Sequence, residues 1–212
     1  MKEFYVLGIN GSHRIEPRNT HYLLERVMQP LKKKEYIKTE IISLGDKELK
    51  YCTSCFSCNK GPCPIKDDMT EIYRKMLTAD AIIIGSPVYI FNVSAKIKTL
   101  FDRCRAILFR EENYNGILKG KIGASVVVGF VRNGGAELTT QAIRNFFDIH
   151  QMFYAGYVMG FSGQQGGVTK DITGKAFAKT IGKKVLELLE LLKDVKVSRD
   201  TEFVEQIHKK VD

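Results

Sequence analysis

Short apolar runs alternate with amphipathic segments along most of this chain. Five of these runs are rich in residues that favour β-strands, and each ends in a polar or glycine-containing loop. We predict strands over residues 4–9, 37–44, 81–84, 122–130 and 152–159. The amphipathic segments repeat apolar residues at the spacing of an α-helix. We predict helices over 19–34, from Asp67 or Asp68 to Leu77, from Ser94 to Phe101, over 136–148 and over 172–193.

Strands that alternate with helices predict a parallel sheet covered on both faces, because the crossover connections are right-handed. We therefore predict the α/β class, with an open, doubly wound sheet of five parallel strands. Ligands of such sheets bind beyond the carboxyl ends of the strands. The loops after the first, third and fourth predicted strands are therefore the candidate binding loops.

The length of 212 residues suits one domain with a full core and is short for two. We predict one domain over residues 1–193 and a charged tail over 194–212, where the weak pattern predicts no element. A cysteine-rich loop at 45–66 is inserted between the second and third predicted strands. Loops of this length without regular structure are usually functional or disordered.

Lys and Arg number 33 and Asp and Glu number 24, so the formal net charge is +9. This excess is typical of a solubilising surface, and it also favours anionic cofactors or acidic electron-transfer partners. The chain has no nucleic-acid-binding signature and no apolar stretch of about 18 residues. Its N-terminus lacks the apolar core and cleavage site of a signal peptide. We expect a cytoplasmic protein that binds neither nucleic acid nor membrane.

Four of the five cysteines lie close together in the predicted loop, with the spacing C-x2-C-x2-C-x4-C. So dense a group of thiols is typical of iron–sulfur ligands, and we expect a [4Fe–4S] cluster. A four-cysteine zinc site and free thiols are the alternatives. The remaining cysteine, Cys104, is predicted to be a small buried side chain. The predicted ligands are Cys52, Cys55, Cys58 and Cys63.

The loop after the first strand has the composition of a phosphate-binding site. Gly11 permits a tight turn, and the next helix adds free N–H groups at its positive end. The loop matches neither the P-loop nor the dinucleotide-binding fingerprint. The alternative is a plain capped turn in which Asn19 or Thr20 is the N-cap. The candidate donors are Ser12, Arg14, Arg18, Asn19 and Thr20.

Two further loops at this edge suit a flat heterocycle. Residues 86–94 are apolar and aromatic, which makes a poor solvent surface and a good wall for a ring. Residues 130–137 offer backbone amides and little bulk. The alternative for Tyr89 and Phe91 is packing at a helix start or in a dimer contact.

At these loops the sequence resembles a known family. The segments GSHR…NT, SPVYIFNVSAKIKTLFDR and GFVRNGGAE are similar to the three FMN-binding loops of the NAD(P)H-dependent FMN reductases, a branch of the flavodoxin-like fold. The cysteine run resembles that of their iron–sulfur flavoprotein subfamily. The resemblance covers roughly residues 4–160. It implies that residues 1–193 form a flavodoxin-like FMN-binding domain.

The resemblance also implies which residues contact FMN. Arg18 departs from the family pattern, which often has glycine before Asn-Thr. Family members generally form dimers with FMN near the interface, so we expect a homodimer or homotetramer. The implied phosphate contacts are Ser12, Arg14, Asn19 and Thr20. The implied ring contacts are Pro87, Val88, Tyr89, Ile90, Asn92, Gly134 and Gly135.

We therefore predict an FMN-dependent oxidoreductase that passes electrons between FMN and a [4Fe–4S] cluster. FMN exchanges one or two electrons and a cluster exchanges one, so the pair can connect two kinds of carrier. The expected partner is a redox protein such as ferredoxin, or a pyridine nucleotide. No residue is singled out as a catalytic acid or base. The alternatives are an NAD(P)H-dependent FMN or quinone reductase with structural or zinc-binding cysteines, and a non-enzymatic flavodoxin-like binding module.

Overall fold

The structure, a computed structural model, describes residues 2–14, 16, 18–110, 113–114, 116–132, 134–195 and 197. Helices alternate with the five strands of its main sheet, as the apolar pattern predicts, and one short helix and two short strands are inserted before the fourth of these strands. In chain order they are β1 (Phe4–Asn10), α1 (Asn19–Lys32), β2 (Ile37–Ser43), α2 (Met69–Thr78), β3 (Ala81–Pro87), α3 (Ala95–Arg103), α4 (Arg105–Leu108), β4 (Phe109–Arg110), β5 (Asn113–Tyr114), β6 (Ile122–Gly129), α5 (Ala136–Ile149), β7 (Phe153–Phe161) and α6 (Ile172–Leu191).

Five strands form one parallel sheet in the order β2-β1-β3-β6-β7. This is the flavodoxin-like order, and it confirms the predicted doubly wound sheet. The strand order reverses between β1 and β3, so the loops that follow them diverge and leave a crevice at that edge. A second, two-stranded sheet pairs β4 with β5 in antiparallel register, an element that the sequence pattern does not predict.

The core lies in two layers, one on each face of the sheet. Leu7 and Ile9 of β1 pack into one apolar cluster, while Val6 packs into the other. This alternation follows from the period of a strand, which points successive side chains to opposite faces. All eight residues of β6 are buried, as expected for a central strand covered on both faces.

Some predicted boundaries shift. The strand predicted over 81–84 continues to Pro87, in register with Val128, which extends it to the binding edge of the sheet. The cap position of α1 is Arg18, and no side-chain hydrogen bond caps the helix, so the alternative with Asn19 or Thr20 as N-cap is wrong. Asn19 is instead the first helical residue, and the Thr20 side chain is buried.

The end of the chain is described only as far as the last turn of α6 and a few residues beyond it. The predicted tail over 194–212 falls outside the described residues, apart from 194, 195 and 197. No helix in the described part of the chain has the length and apolar content needed to cross a bilayer.

Candidate functional site

A cavity of about 200 Å³ lies at the carboxyl edge of the sheet, where the predicted binding loops meet. Seven of the eleven residues predicted to contact FMN line it, so the structure brings most of that prediction together. The lining residues are Ser12, Arg14, Arg18, Asn19, Thr20, Pro87, Val88, Tyr89, Val128, Gly129, Phe130, Ser162, Gln164 and Gln165.

The loop after β1 is held in place by hydrogen bonds to its own side chains and to β3. Gly11 N–H donates to the carbonyl of Gly85 at 2.7 Å, and Ser12 N–H donates to Asn10 Oδ1 at 3.2 Å. A Cβ at Gly11 would lie 2.2 Å from Ile97 Cγ1, so only glycine permits this close approach to α3. The loop is therefore preorganised against α3.

The start of α1 offers the donors that a phosphate requires. No side-chain hydrogen bond caps the helix, so its first N–H groups are left available, and its first residues, Asn19 and Thr20, line the cavity at its positive dipole end. Asn19 Oδ1 is buried and has no hydrogen-bond partner among the described residues. The Nδ2 group of the same side chain makes a long contact, 3.4 Å, with the Gln164 carbonyl, and a phosphate accepts hydrogen bonds from such an NH2 group. The residues fit a phosphate monoester.

Arg18 has partners on both sides of the cavity mouth. Its guanidinium forms an ion pair with Glu16. It also lies 3.0 Å from the side-chain amide of Gln165, whose oxygen accepts the hydrogen bond once the amide is correctly oriented. Arg18, the departure from the family pattern, thus connects the first loop with the loop after β7 and adds positive charge near the phosphate position.

The opposite wall of the cavity is apolar and suits the edge of a flat ring. Val88 N–H donates to the Val128 carbonyl at 2.9 Å, which continues the pairing of β3 and β6 to the cavity. The ring centroids of Tyr89 and His13 are 5.7 Å apart. Partial burial and the nearby positive charge of Lys96 lower the pKa of His13.

Residues 89–92 form a tight turn whose tip lies outside the cavity. Tyr89 and Asn92 exchange backbone hydrogen bonds, and the two residues between them, Ile90 and Phe91, have φ of 44° and 61°. Such left-handed values are strained for these side chains. Ile90 is 91% exposed. The tip therefore presents apolar side chains to the outside at an energetic cost, which is typical of a functional loop.

Four predicted FMN contacts are not among the lining residues. Ile90 and Asn92 belong to the exposed turn, and the Asn92 side chain accepts a hydrogen bond from Val93 N–H. Gly135 packs against the same turn, since a Cβ there would lie 2.5 Å from Phe91 Cα, and Gly134 precedes it. Their contacts with FMN stay predictions.

The loop after β7 also lines the cavity, although it is not among the loops that the sequence predicts to bind a ligand. Ser162, Gln164 and Gln165 line the cavity, and Asn19 Nδ2 lies 3.4 Å from the Gln164 carbonyl. The signal was present in the polar, glycine-rich segment SGQQGG that follows the fifth strand. In a parallel sheet every strand ends at the same edge, so this loop also belonged among the candidates.

The four clustered cysteines surround a second, small cavity of about 20 Å³ between β2 and α2. Arg103 and Arg105 line it with them. Cys58 is buried and Cys63 is half-buried, whereas Cys52 and Cys55 are exposed. The structure therefore brings the four predicted ligands to one place, with two of them at the surface of the loop.

The backbone of this loop favours thiolate chemistry. Ser54 and Phe56 have left-handed φ values of 53° and 57°, and such turns aim successive N–H groups inward, as at many iron–sulfur sites. Hydrogen bonds from the hydroxyl and N–H of Ser57, and from Thr53, hold the pKa of the Cys55 thiol below its usual value. Burial raises the pKa of the Cys58 thiol, and the charge of Arg105 partly opposes this.

Throughout the described residues, no three His, Cys, Asp or Glu side chains are grouped as the ligands of one metal ion. The donor set nonetheless fits an iron–sulfur group in ligand type and in its arrangement around one cavity. Cys104 lies outside this set. It is fully buried, and burial raises the pKa of its thiol, so the prediction of a small buried side chain is confirmed.

The profile of a family described as NADPH-dependent FMN reductase matches residues 4–165. This chain belongs to the NADPH-dependent FMN reductase family. The match extends from β1 to Gln165, so it includes both the loops that line the cavity at the sheet edge and the cysteine loop. The predicted class, a flavin-dependent oxidoreductase, is confirmed.

Similar members of this FMN reductase family are named iron–sulfur flavoproteins, which confirms the predicted subfamily. One from Methanocaldococcus jannaschii is 43% identical over 197 residues, which is 89% of this chain and 98% of that protein. Another from Methanosarcina thermophila is 36% identical over 193 residues, which is 88% of this chain and 96% of that protein. The similarity therefore extends over nearly the whole of each relative.

Solved structures agree with the FMN reductase fold. RosB with a bound 8-demethyl-8-formylriboflavin-5'-phosphate intermediate superposes with a TM-score of 0.72 at 19% identity, covering 99% of this chain and 88% of that chain. The Trp repressor binding protein from Bacillus subtilis gives 0.63 at 22% identity, covering 83% and 96%. At these identities the likeness supports the fold alone.

Proposed function

We propose that this FMN reductase family member binds FMN and a [4Fe–4S] cluster and passes electrons between them. One observation carries the proposal, namely that α3 connects the two sites. At its start, Ser94 Oγ donates to the Gly11 carbonyl in the phosphate loop at 2.6 Å. At its end, Arg103 donates to the Lys50 carbonyl beside the cysteines at 2.8 Å. A single helix thus holds the first loop and the cysteine loop at fixed positions relative to each other.

The protein's own residues bind and orient the flavin. Hydroxyl, amide and guanidinium donors of the first loop hold the phosphate, together with the N-terminus of α1. Pro87, Val88 and Tyr89 shield one edge of the ring from water. We assign the ring's remaining contacts to the turn at 89–92 and to the glycines that precede α5. These residues are Ile90, Asn92, Gly134 and Gly135.

The four thiolates of Cys52, Cys55, Cys58 and Cys63 hold the cluster. When bound, FMN supplies one- or two-electron chemistry and the cluster supplies one-electron chemistry. The exposed Cys52 and Cys55 put the cluster at the protein surface, where a redox partner can approach. A ferredoxin-like protein or a pyridine nucleotide is the proposed partner, and a cytoplasmic homodimer or homotetramer is the proposed form.

The decisive experiment is cofactor analysis after oxygen-free purification. We expect one FMN per chain and about four iron and four acid-labile sulfide per chain, as a [4Fe–4S] cluster requires. Zinc in place of iron would favour the structural-cysteine alternative. A colourless protein with neither flavin nor iron would overturn the proposal.

A second candidate is direct reduction of the flavin by a pyridine nucleotide, which the description of the matching family favours. Steady-state oxidation of NADPH and NADH by the flavin-loaded protein tests it. Rapid oxidation of either would support this activity, and it is compatible with a cluster in the same chain. Oxidation no faster than that by free FMN would exclude it.

A further inference from the structure

Arg103, the last residue of α3, is one of the largest fully buried side chains in the described part of the chain. Its side chain is 1% exposed, and that of its ion-pair partner Asp67 is 0% exposed. A buried guanidinium is costly unless its N–H groups are bonded. The location of its acceptors therefore indicates what the arginine is for.

The acceptors of Arg103 lie at both ends of the cysteine segment. One terminal nitrogen donates to the Lys50 carbonyl at 2.8 Å and to Asp67 Oδ2 at 2.6 Å. The other donates to Asp67 Oδ1 at 3.1 Å and lies 3.4 Å from the Ile65 carbonyl. Lys50 precedes Cys52 by two residues, and Ile65 follows Cys63 by two residues. One guanidinium thus joins the two ends of the loop to α3.

Asp67 completes this closure from the other side. Its carboxylate also accepts hydrogen bonds from Lys50 N–H at 2.8 Å and Met69 N–H at 3.1 Å. Burial alone would raise the pKa of Asp67, but the hydrogen bonds from Arg103 and Lys50 outweigh burial and lower it. The pair is therefore fully charged at neutral pH, and the bidentate geometry is the strong form of this interaction.

One donor of this guanidinium is left over. Arg103 Nε is buried and has no hydrogen-bond partner among the described residues. The same side chain lines the cavity that the four cysteines surround. The four cysteines line this cavity, so their sulfur atoms, and the sulfurs of a cluster that they would hold, are candidate acceptors for this donor.

We propose that Arg103 is a positioning residue for the cluster: its two terminal nitrogens close the cysteine loop, and its Nε–H donates a hydrogen bond to a sulfur of the site that the four cysteines form. This inference rests on the proposed function, since it needs a cluster in the loop. Hydrogen bonds to cluster sulfurs are one of the factors that set the reduction potential, and they favour the reduced, more negative form. Arg103 thereby tunes the potential as well as the shape of the site.

The test compares Arg103→Lys with the wild type in the holo-protein. Lysine keeps the positive charge but lacks both the bidentate fork and Nε–H. In a redox titration followed by EPR, we expect the ratio of reduced to oxidised cluster at fixed potential to fall about tenfold, about 59 mV for one electron. The matched control is Arg144→Lys, which alters an exposed Arg–Asp pair on α5 and should leave the ratio unchanged.

A second readout uses the metal-free protein. With the loop ends released, we expect alkylation of Cys63 by iodoacetamide to be at least about fivefold faster in Arg103→Lys than in the wild type or Arg144→Lys. If Arg103→Lys does not fold, the double variant Asp67→Asn/Arg103→Gln takes its place in both measurements, because it removes both buried charges together. We expect the same fall in the ratio of reduced to oxidised cluster and the same faster alkylation of Cys63.

The outcomes separate this inference from the proposed function. Wild-type protein that holds no iron after oxygen-free purification would refute the cluster itself. Wild-type protein with a cluster whose potential is unchanged by the Arg103 variants would overturn the sulfur hydrogen bond. Unchanged Cys63 alkylation would overturn the loop closure.

Discussion

Buried polar residues of this protein are stabilised to very different degrees. The ammonium of Lys121 is buried but donates to the carbonyls of Leu77 and Ala79. His150 is equally buried, yet its Nδ1 has no partner within the described part of the chain, and its ring packs against Phe146 with centroids 4.5 Å apart. Burial lowers the pKa of His150 to about 4. This histidine is therefore neutral in the folded protein down to acidic pH.

His150 should make the folded state sensitive to acid. Its pKa is about 4 folded and about 6.5 unfolded, so as pH falls below about 6.5 the unfolded chain gains a proton that the folded protein does not bind. The loss of stability at pH 5 amounts to about 2 kcal/mol from this residue. We expect His150→Leu to flatten the decrease in thermal unfolding temperature between pH 7 and pH 5.

The matched control for this experiment is His21→Leu on the surface of α1, which should retain the wild-type slope. If His150→Leu loses as much thermal stability between pH 7 and pH 5 as the wild type does, the assignment to His150 is refuted.

Cys58 is the most buried of the four clustered cysteines, so its removal should be the most damaging to the cluster site. We expect Cys58→Ala to lose most of its iron and the broad visible absorbance of thiolate-ligated clusters while it retains FMN. Cys104→Ala removes a buried thiol outside the loop and should keep both cofactors. Iron analysis and visible spectra of the two variants check this, and a full iron content in Cys58→Ala would disprove the ligand assignment.

At the scale of elements, α3 depends on one serine at its start. Ser94 Oγ accepts a hydrogen bond from Ile97 N–H, as an N-cap should, and donates to the Gly11 carbonyl at 2.6 Å. Its own N–H donates to Ser86 Oγ at 3.0 Å. Ser94 is thus the N-cap of α3, and the same residue fixes the loop after β1 and the end of β3.

Ser94→Ala should therefore weaken both the helix and the flavin site. Loss of the cap and of a buried hydrogen bond costs about 1–3 kcal/mol in the free energy of unfolding, and we expect weaker FMN retention because Gly11 is less firmly held. Chemical denaturation and flavin release measure the two effects. Thr78→Ala, which removes an exposed hydroxyl bonded to the Arg74 carbonyl, is the control and should change stability by less than about 0.5 kcal/mol.

The elements that the sequence predicts best are those with a continuous apolar pattern. All five strands of the doubly wound sheet follow from such runs, and β6 is buried throughout. The end of β3 was misplaced because Gly85-Ser86-Pro87 resembles loop punctuation, whereas the structure pairs Pro87 with Val128. The pairing depends on a neighbouring strand, which a local pattern does not contain.

The candidate site is predictable where one loop carries several functional residues, and less so where contacts are distant in sequence. The first loop and the cysteine loop are examples of the former. The ion pair between Arg103 and Asp67 joins residues 36 positions apart, and Gln165 reaches Arg18 from the far end of the sheet. No spacing rule connects these residues, because the fold alone brings them together.

At the scale of the whole molecule, an exposed apolar surface adjoins the cavity at the carboxyl edge of the sheet. Tyr89 and Phe130 line the same cavity, and Phe91 packs beside Gly135, so the exposed side chains of the turn and of the start of α5 are neighbours. Apolar patches of this kind mark interaction sites on soluble proteins. The exposed residues are Tyr89, Ile90, Phe91, Phe130, Val131 and Leu138.

We predict that this surface is the contact between subunits of the expected homodimer. We expect Ile90→Glu, at the exposed tip of the turn, to weaken self-association at least about tenfold, about 1.4 kcal/mol. Size-exclusion chromatography with light scattering over a range of protein concentrations measures it. Leu191→Glu changes a similarly exposed residue at the end of α6 and is the control. An unchanged oligomer in Ile90→Glu would place the interface elsewhere.

The nine residues of α3 extend for about 14 Å. In the proposed function, a helix of constant length between the two cofactors would act as a spacer, because electron exchange depends steeply on distance. Insertions in the turn at 89–92 or in the cysteine loop would leave this spacer intact, whereas one added helical turn would lengthen it by about 5.4 Å. Under that proposal, either end could be reshaped for new partners without altering the distance between the two cofactors.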